Sequence, residues 1–334
     1  MTQISSLMAS EAKETPAIIA EQLKQNAALY QEFVSLVQAR DPTMVYMIGR
    51  GTSDHAGVFA KYLIEVELGL PVCSAAPSVS SVFQQTLRLD KALVIVISQS
   101  GRSPDILAQA RMAKAAGALC VALVNDESSP LAALVDVFIP LRAGPELAVA
   151  ATKSYLASLA ALVSLVAYWK QDANLLAGLN GLPTQLQQVI NAPARLDLNA
   201  IHGIRHCVVL GRAFGYAIAL EMALKMKEVC GIQAEAFSSA EFIHGPVSLL
   251  NRGVELIDVT LADETLEVHK QSLADIQARG ATVHSIGDAA SDFVSRLQPL
   301  LVMQRFYLDI EQIARQMGFD PDNPKGLKKV TETL

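Results

Sequence analysis

The sequence predicts an α/β protein of two tandem units, each a parallel sheet flanked by helices in a three-layer α/β/α arrangement. Three observations carry this. Apolar runs bounded by Gly or Ser alternate with longer helix-compatible segments. Those runs are apolar at successive positions, as strands covered on both faces are. The pattern also repeats once: "VYMIGRGTSDHAG" echoes "CVVLGRAFGYAIA", and "AKAAGALCVALVND" echoes "IQARGATVHSIGD", pairing Gly49 with Gly211 and Asp126 with Asp288 at a common offset of 162.

The strands expected in order are "MVYMIG", "ALVIVIS", "LCVALVN", "HCVVLG", "LIDVT" and "TVHSIG". Between them, "AGVFAKYLIEVEL" and "PDILAQARMAKAAG" suit helices. The run "SYLASLAALVSLVAYW" is rich in Ala and Ser and shorter than the roughly 20 residues that cross a bilayer, so it reads as a buried core helix. Gly178, Gly181 and Pro183 in "LAGLNGLPTQLQQ" suit a linker or the approach to a connecting helix. The expected boundaries are an N-terminal helical segment over 1–34, a first domain over 35–170, a connection over 171–194, a second domain over 195–320 and a tail over 321–334.

Composition narrows the function classes. With 334 residues, 51% hydrophobic and 18% charged, the chain can bury a large core. A net charge of -6, from 27 basic and 33 acidic residues, gives no broad positive field for a nucleic acid. The start, "MTQISSLMASEAKETP", has no basic stretch followed by an apolar one, so a cytoplasmic protein without membrane attachment is expected. Cys73, Cys120, Cys207 and Cys230 form no C-x-x-C pair and sit among apolar neighbours, so neither a structural zinc nor a disulfide framework is expected.

The stretch "LVIVISQSGRSPD" is the most informative. Ligands of parallel sheets collect beyond the carboxyl ends of strands. Here the strand opens into Ser98, Gln99, Ser100 and Ser103, with Ser103 at an N-cap position, Pro104 in the first helical turn and Asp105 at the positive end of the helix. Hydroxyls and helix N–H groups together suit one phosphate of a small molecule. Neither G-x-x-x-x-G-K-[ST] nor G-x-G-x-x-G occurs, so no nucleotide loop is expected. Thr52 and Ser53, in "GRGTSDHAG", follow the first strand of the same domain and can donate to the same anion.

These residues resemble the sugar isomerase (SIS) fold, and specifically the isomerase half of glucosamine-6-phosphate synthase. The resemblance rests on "EAKETP", "GRGTSDHAG", "ISQSGRSPD", "GPELAVAATKSYLASL", "ALEMALKMKEVCGIQAEAFSSAEFIHGP" and "NPKGLKKVTETL", and it runs over nearly the whole chain. It implies that Ser98, Gln99, Ser100 and Ser103 form the phosphate loop, with Thr52 and Ser53 in its neighbouring turn. Glu146, Val149, Ala150 and Thr152 become the candidate contacts to the sugar hydroxyls. The synthase carries a glutaminase domain with a Cys nucleophile, whereas this sequence opens with "MTQISS". The expectation is a deaminase of the SIS type, releasing ammonia from glucosamine 6-phosphate.

Glu221, Lys225 and Glu228 recur at spacings of four and three, on one helical face. Such a face is ordinarily a solvated salt-bridge ladder. A carboxylate whose pKa burial brings toward neutrality can instead move a proton between the first two carbons of a sugar, and Glu228 matches the family's base for that step. Lys225 matches a neighbouring site lysine. His244 matches the ring-opening histidine, which reaches the site from the partner subunit, so the resemblance implies a homodimer. Lys329 matches the lysine set against the open-chain carbonyl. The sequence departs from the synthase at Ala151, Ile243 and Lys328, and Ala151 leaves the sugar epimer open. No metal and no cofactor is expected.

Two other enzymatic readings share these features: a deglycase for fructosamine 6-phosphates and a galactosamine-6-phosphate deaminase. A non-catalytic sugar-phosphate sensor is the alternative of another class. Its DNA-binding helices would need basic residues, and the first 40 positions hold only Lys13, Lys24 and Arg40.

Overall fold

A computed structural model describes residues 5–287 and 291–329; Asp288, one member of the internal echo, lies outside them. The first half of the chain runs α1 (Leu7–Arg40), β1 (Met44–Ile48), α2 (Thr52–Leu68), β2 (Val72–Ser74), α3 (Ser78–Ser81), β3 (Ala92–Ser98), α4 (Pro104–Ala115), β4 (Leu119–Val124), β5 (Val137–Pro140) and α5 (Lys153–Lys170). The second half runs α6 (Ala173–Asn191), α7 (Leu198–Ile201), β6 (His206–Gly211), α8 (Phe214–Cys230), β7 (Gln233–Ser238), α9 (Ser239–Ile243), β8 (Glu255–Val259), α10 (Leu266–Gln277), β9 (Val283–Ser285) and α11 (Gln298–Gln316).

Two parallel sheets result, ordered β2-β1-β3-β4-β5 and β7-β6-β8-β9, one in each of two compact units. The first unit comprises Thr15–Glu146 and Lys153–Pro183. The second comprises the chain before Thr15, Leu147–Thr152 and Thr184–Lys329. Helices α1 and α6 each change unit membership beside a proline, Pro16 and Pro183, where the ring removes a helical N–H.

In the first unit all seven residues of β3 are buried, and Val94 and Val96 share a core with Ile106, Ala110 and Ala113 of α4. Each buried Val or Ile side chain contributes about 1.5–3 kcal/mol, and each Ala less. Helix α5 is buried from Lys153 to Ala167, as a core helix should be. Among the described residues no helix is long and apolar enough to cross a membrane. The second unit repeats the scheme, with Val208, Leu210 and Leu256 packed against Phe242 and Ile276.

The internal echo has a steric cause. A Cβ at Gly49 would meet the Ser53 carbonyl carbon at 2.8 Å, and one at Gly211 would meet that of Gly215 at 2.3 Å. In both units the chain leaves its first strand so tightly that the following helix packs on the strand's end. The residue before each helix keeps the same unusual backbone, Gly51 at φ 53, ψ -126 and Ala213 at φ 45, ψ -112.

Three strands escaped sequence reading. β2 is only three residues long. β5 ends in Pro140 at the sheet edge, the position that tolerates a missing donor. β7, "QAEAFS", is an edge strand with buried and exposed positions mixed, so it lacks an apolar run. Helix α1 continues to Arg40, past residue 34, and stops where Asp41 turns to φ 45.

Candidate functional site

In the first unit, β3 ends at Ser98 and the chain folds back on itself before α4. The Ser98 hydroxyl accepts the Gly101 N–H at 2.9 Å, and the Ser100 hydroxyl accepts the Arg102 N–H at 3.3 Å. Gly101 sits at φ 62, and a Cβ there would lie 2.5 Å from Ser129 Oγ, so only glycine closes this turn. Ser103 occupies the N-cap position of α4, yet its hydroxyl makes no capping bond. Gln99, Ser100, Ser103, Thr52 and Ser53 are all partly exposed.

The loops bearing these residues are tied by a pair that sequence reading missed. Arg50 Nε donates to Asp105 Oδ2 at 2.8 Å, while Asp105 Oδ1 accepts its neighbour's N–H, from Ile106, at 2.9 Å. The Asp105 side chain is fully buried and Arg50 is half exposed. Arg102 reaches the other way, to Asp126 at 2.9 Å and the Ser128 hydroxyl at 3.0 Å. Hydrogen bonds from Ser128, together with Arg102, hold the Asp126 carboxyl below its usual range. Glu146 also belongs to the first unit, where its two oxygens accept the N–H and hydroxyl of Ser154 at 3.1 and 2.8 Å and so cap α5.

In the second unit, α8 carries Glu221, Lys225 and Glu228 on one face. This is not the solvated ladder that such a spacing ordinarily makes. Glu221 and Lys225 are buried, with Lys225 Nζ at 2.5 Å from Glu228 Oε2 and 3.4 Å from Glu221 Oε1. Burial alone would lower the Lys225 pKa, but the two carboxylates outweigh it and raise the pKa above the ordinary lysine value. The Tyr307 hydroxyl, from α11, donates to Glu221 at 3.3 Å. Glu228 keeps 21% of its side chain exposed, so its immediate environment is a cation and solvent rather than an apolar wall.

The same unit gathers the segment Leu147–Thr152, the tail and the start of α1. Lys329 Nζ donates to the Ala148 carbonyl at 2.8 Å, and the Val149 N–H donates to the Asp322 carbonyl at 2.9 Å. The Asp322 carboxylate accepts the Leu7 and Met8 N–H groups at 2.9 and 2.8 Å, satisfying the first turn of α1. Glu11 accepts the N–H groups of Leu147 and Ala148. Glu11, Asp322 and Lys329 thus bind three successive residues, Leu147 to Val149, through their backbone. Ala150 and Thr152 are buried and Val149 is partly exposed; Lys329 is partly buried where Lys328 is exposed. His244 is exposed at the end of α9, its N–H donating to the Glu241 carbonyl at 3.0 Å.

Comparison with known proteins agrees with this architecture. The sequence profile of the SIS domain matches residues 39–168 and 200–309, one match for each sheet. Glutamine–fructose-6-phosphate aminotransferase (isomerizing) from Symbiobacterium thermophilum is 31% identical, over 89% of this chain and 52% of its own length. The Mycolicibacterium smegmatis protein of the same name is 32% identical, over 96% of this chain and 56% of its own. The chain thus spans about half the length of these curated relatives. A crystal structure of a candidate phosphosugar isomerase from Silicibacter pomeroyi superposes with a TM-score of 0.89 at 38% identity, covering 95% of this chain and all, 100%, of the other. Two parallel sheets, two profile matches and these relatives lead to one statement: this chain belongs to the SIS domain family.

Proposed function

We propose that the chain catalyses the isomerising deamination of glucosamine 6-phosphate to fructose 6-phosphate and ammonia, with one water consumed. The observation that carries this reading is the buried Lys225 ammonium held against the Glu228 carboxylate. A cation fixed on Oε2 orients a carboxylate that a bound sugar could still reach, and fixed orientation helps a base move a proton between adjacent carbons. The serine-lined turn after β3 supplies hydroxyl and N–H donors for a single phosphate.

In this mechanism His244 transfers the proton that opens the sugar ring, exposing the aldehyde at C1. Glu228 removes the C2 proton, leaving an enolamine, and returns a proton to C1. The C2 imine so formed takes up water and breaks down to the ketone and ammonia. Lys329, hydrogen-bonded to the Ala148 carbonyl, stands against the reacting carbonyl, and partly exposed Val149 contacts the sugar, with buried Ala150 and Thr152 supporting the segment behind it. Glu146, committed to capping α5, acts by fixing that segment's entry into the helix. A homodimer would bring His244 to the neighbouring subunit's site.

Three of the four cysteines, Cys120, Cys207 and Cys230, are buried, and Cys73 is exposed. Burial pushes Cys120 up to about 11 and Cys207 and Cys230 up to about 12, so none of the three is a thiolate nucleophile near neutrality. Ammonia release from glucosamine 6-phosphate, galactosamine 6-phosphate and a fructosamine 6-phosphate, measured side by side, tests the reading. Fastest release from the first supports it. Binding of all three without ammonia from any would instead make the protein a sensor.

A further inference from the structure

Near the carboxyl end of β8, three buried polar side chains from β8, α9 and α10 meet that this chemistry does not use. Asp258, His269 and Ser239 are 1, 2 and 0% exposed. His269 Nε2 lies 2.6 Å from Asp258 Oδ1, and its Nδ1 lies 2.9 Å from Ser239 Oγ. The other carboxylate oxygen, Oδ2, accepts the hydroxyls of Thr260 and Ser285 at 2.7 and 2.8 Å. Carboxylate, imidazole and hydroxyl stand in the order of a nucleophilic triad. A nucleophile must be reached by its substrate, and Ser239 is sealed in the protein, so hydrolysis is not what this group does.

With a neutral ring, a carboxylate on the Nε2 side places the hydrogen there and leaves Nδ1 to accept the Ser239 hydroxyl. Every link then has one direction, and a fully satisfied buried chain of this kind specifies geometry. Its last member begins α9, which runs from Ser239 to Ile243 with His244 as its C-cap. Five residues of helix advance about 7.5 Å, so a rotation at Ser239 is carried to His244. Such a short helix cannot hold itself in place. Phe242 anchors it on the apolar side, against Val208, Leu210, Leu256 and Ile276. An apolar contact resists withdrawal more than rotation, and the hydrogen-bonded chain adds a directional restraint to the one that β7, paired as far as Ser238, gives the start of the helix.

We propose that Asp258, His269 and Ser239 are positioning residues for His244, fixing the rotation of α9 and hence the direction in which the exposed imidazole is presented. This rests on the role given to His244 above and extends it to three residues remote from the sugar.

A double-mutant cycle tests it: His269→Ala and His244→Ala, alone and together, with kcat and KM measured for ammonia release from glucosamine 6-phosphate. His269→Ala should lower kcat about tenfold or more with KM within about twofold, and should cost nothing further in the His244→Ala background. An equal loss in both backgrounds, or no loss in either, overturns the proposal. Should His269→Ala fail to fold, Ser239→Ala, which removes only a hydroxyl, takes its place in the cycle. Should the wild type release no ammonia, amide hydrogen exchange reports on positioning independently. Ser239→Ala should then lower protection at Phe242 to His244 about tenfold while β6 is unchanged, and unchanged protection at Phe242 to His244 overturns the proposal.

Discussion

Arg50 and Asp105 join the turn after β1 to the turn after β3 through a 2.8 Å charge-assisted hydrogen bond, one partner half exposed and the other fully buried. The other oxygen of the buried carboxylate accepts its neighbour's N–H, from Ile106. Arg50→Ala should therefore destabilise the protein by about 2 kcal/mol, mainly by stranding a desolvated charge. It should also raise KM for the sugar phosphate about tenfold, because the two turns bearing Thr52, Ser53 and Ser98 to Ser103 lose their tie. Denaturant midpoints and KM check the two effects separately.

Backbone conformation gives a pair of opposite predictions. Gly101→Ala places a methyl 2.5 Å from Ser129 Oγ at φ 62, and should cost about 2–4 kcal/mol. Ala213→Gly relieves a non-glycine residue at φ 45, ψ -112 and should stabilise by about 1 kcal/mol, strain relief exceeding the entropy gained by the unfolded chain. Urea unfolding of both variants reads the signs directly.

Lys225 is the buried cation shared by Glu221 and Glu228, so Lys225→Met should lose about 3–5 kcal/mol. The pH dependence has a definite sign. The folded Lys225 pKa is raised, so its contribution is complete below the ordinary lysine value and is lost as pH rises through the folded one. Wild-type and variant stabilities should converge in strong alkali, which equilibrium unfolding across pH detects.

Acid should reveal a second pair. Arg296 donates to both oxygens of Glu264, at 2.7 and 2.8 Å, and this holds the carboxyl at about 2 against an ordinary 4.5. A lowered folded value stabilises above the unfolded pKa and fades as pH falls through the folded one. Glu264 is 71% exposed, so solvent screening keeps the contribution under about 1 kcal/mol. Wild type and Glu264→Gln should differ slightly near pH 6 and coincide near pH 2 in thermal melts.

The long apolar runs made most of the fold legible. "ALVIVIS" is β3, buried at every position, and the spacing of "ALEMALKMKEV" set Glu221, Lys225 and Glu228 on one face. Pairings distant in sequence were not legible. Glu11 gripping Leu147, Asp322 capping α1, and Arg50 meeting Asp105 join segments whose local patterns give no hint of one another. The Ser239–His269–Asp258 group was hidden for the same reason, since its members lie on three different elements. Burial of Glu221 and Lys225 overrode the ordinary reading of charges at helical spacing, because α11 packs on α8 and its Tyr307 bonds Glu221.

The central claim is proton transfer by Glu228 on a phosphate-anchored amino sugar. Its most direct test is the joint yield of ammonia and fructose 6-phosphate from glucosamine 6-phosphate, for the wild type and for Glu228→Gln. The account predicts equal amounts of the two products from the wild type, and a variant that binds the sugar phosphate with unchanged affinity but turns over about 100- to 10,000-fold more slowly. A variant as fast as the wild type, or a wild type that binds the sugar and releases neither product, would contradict it.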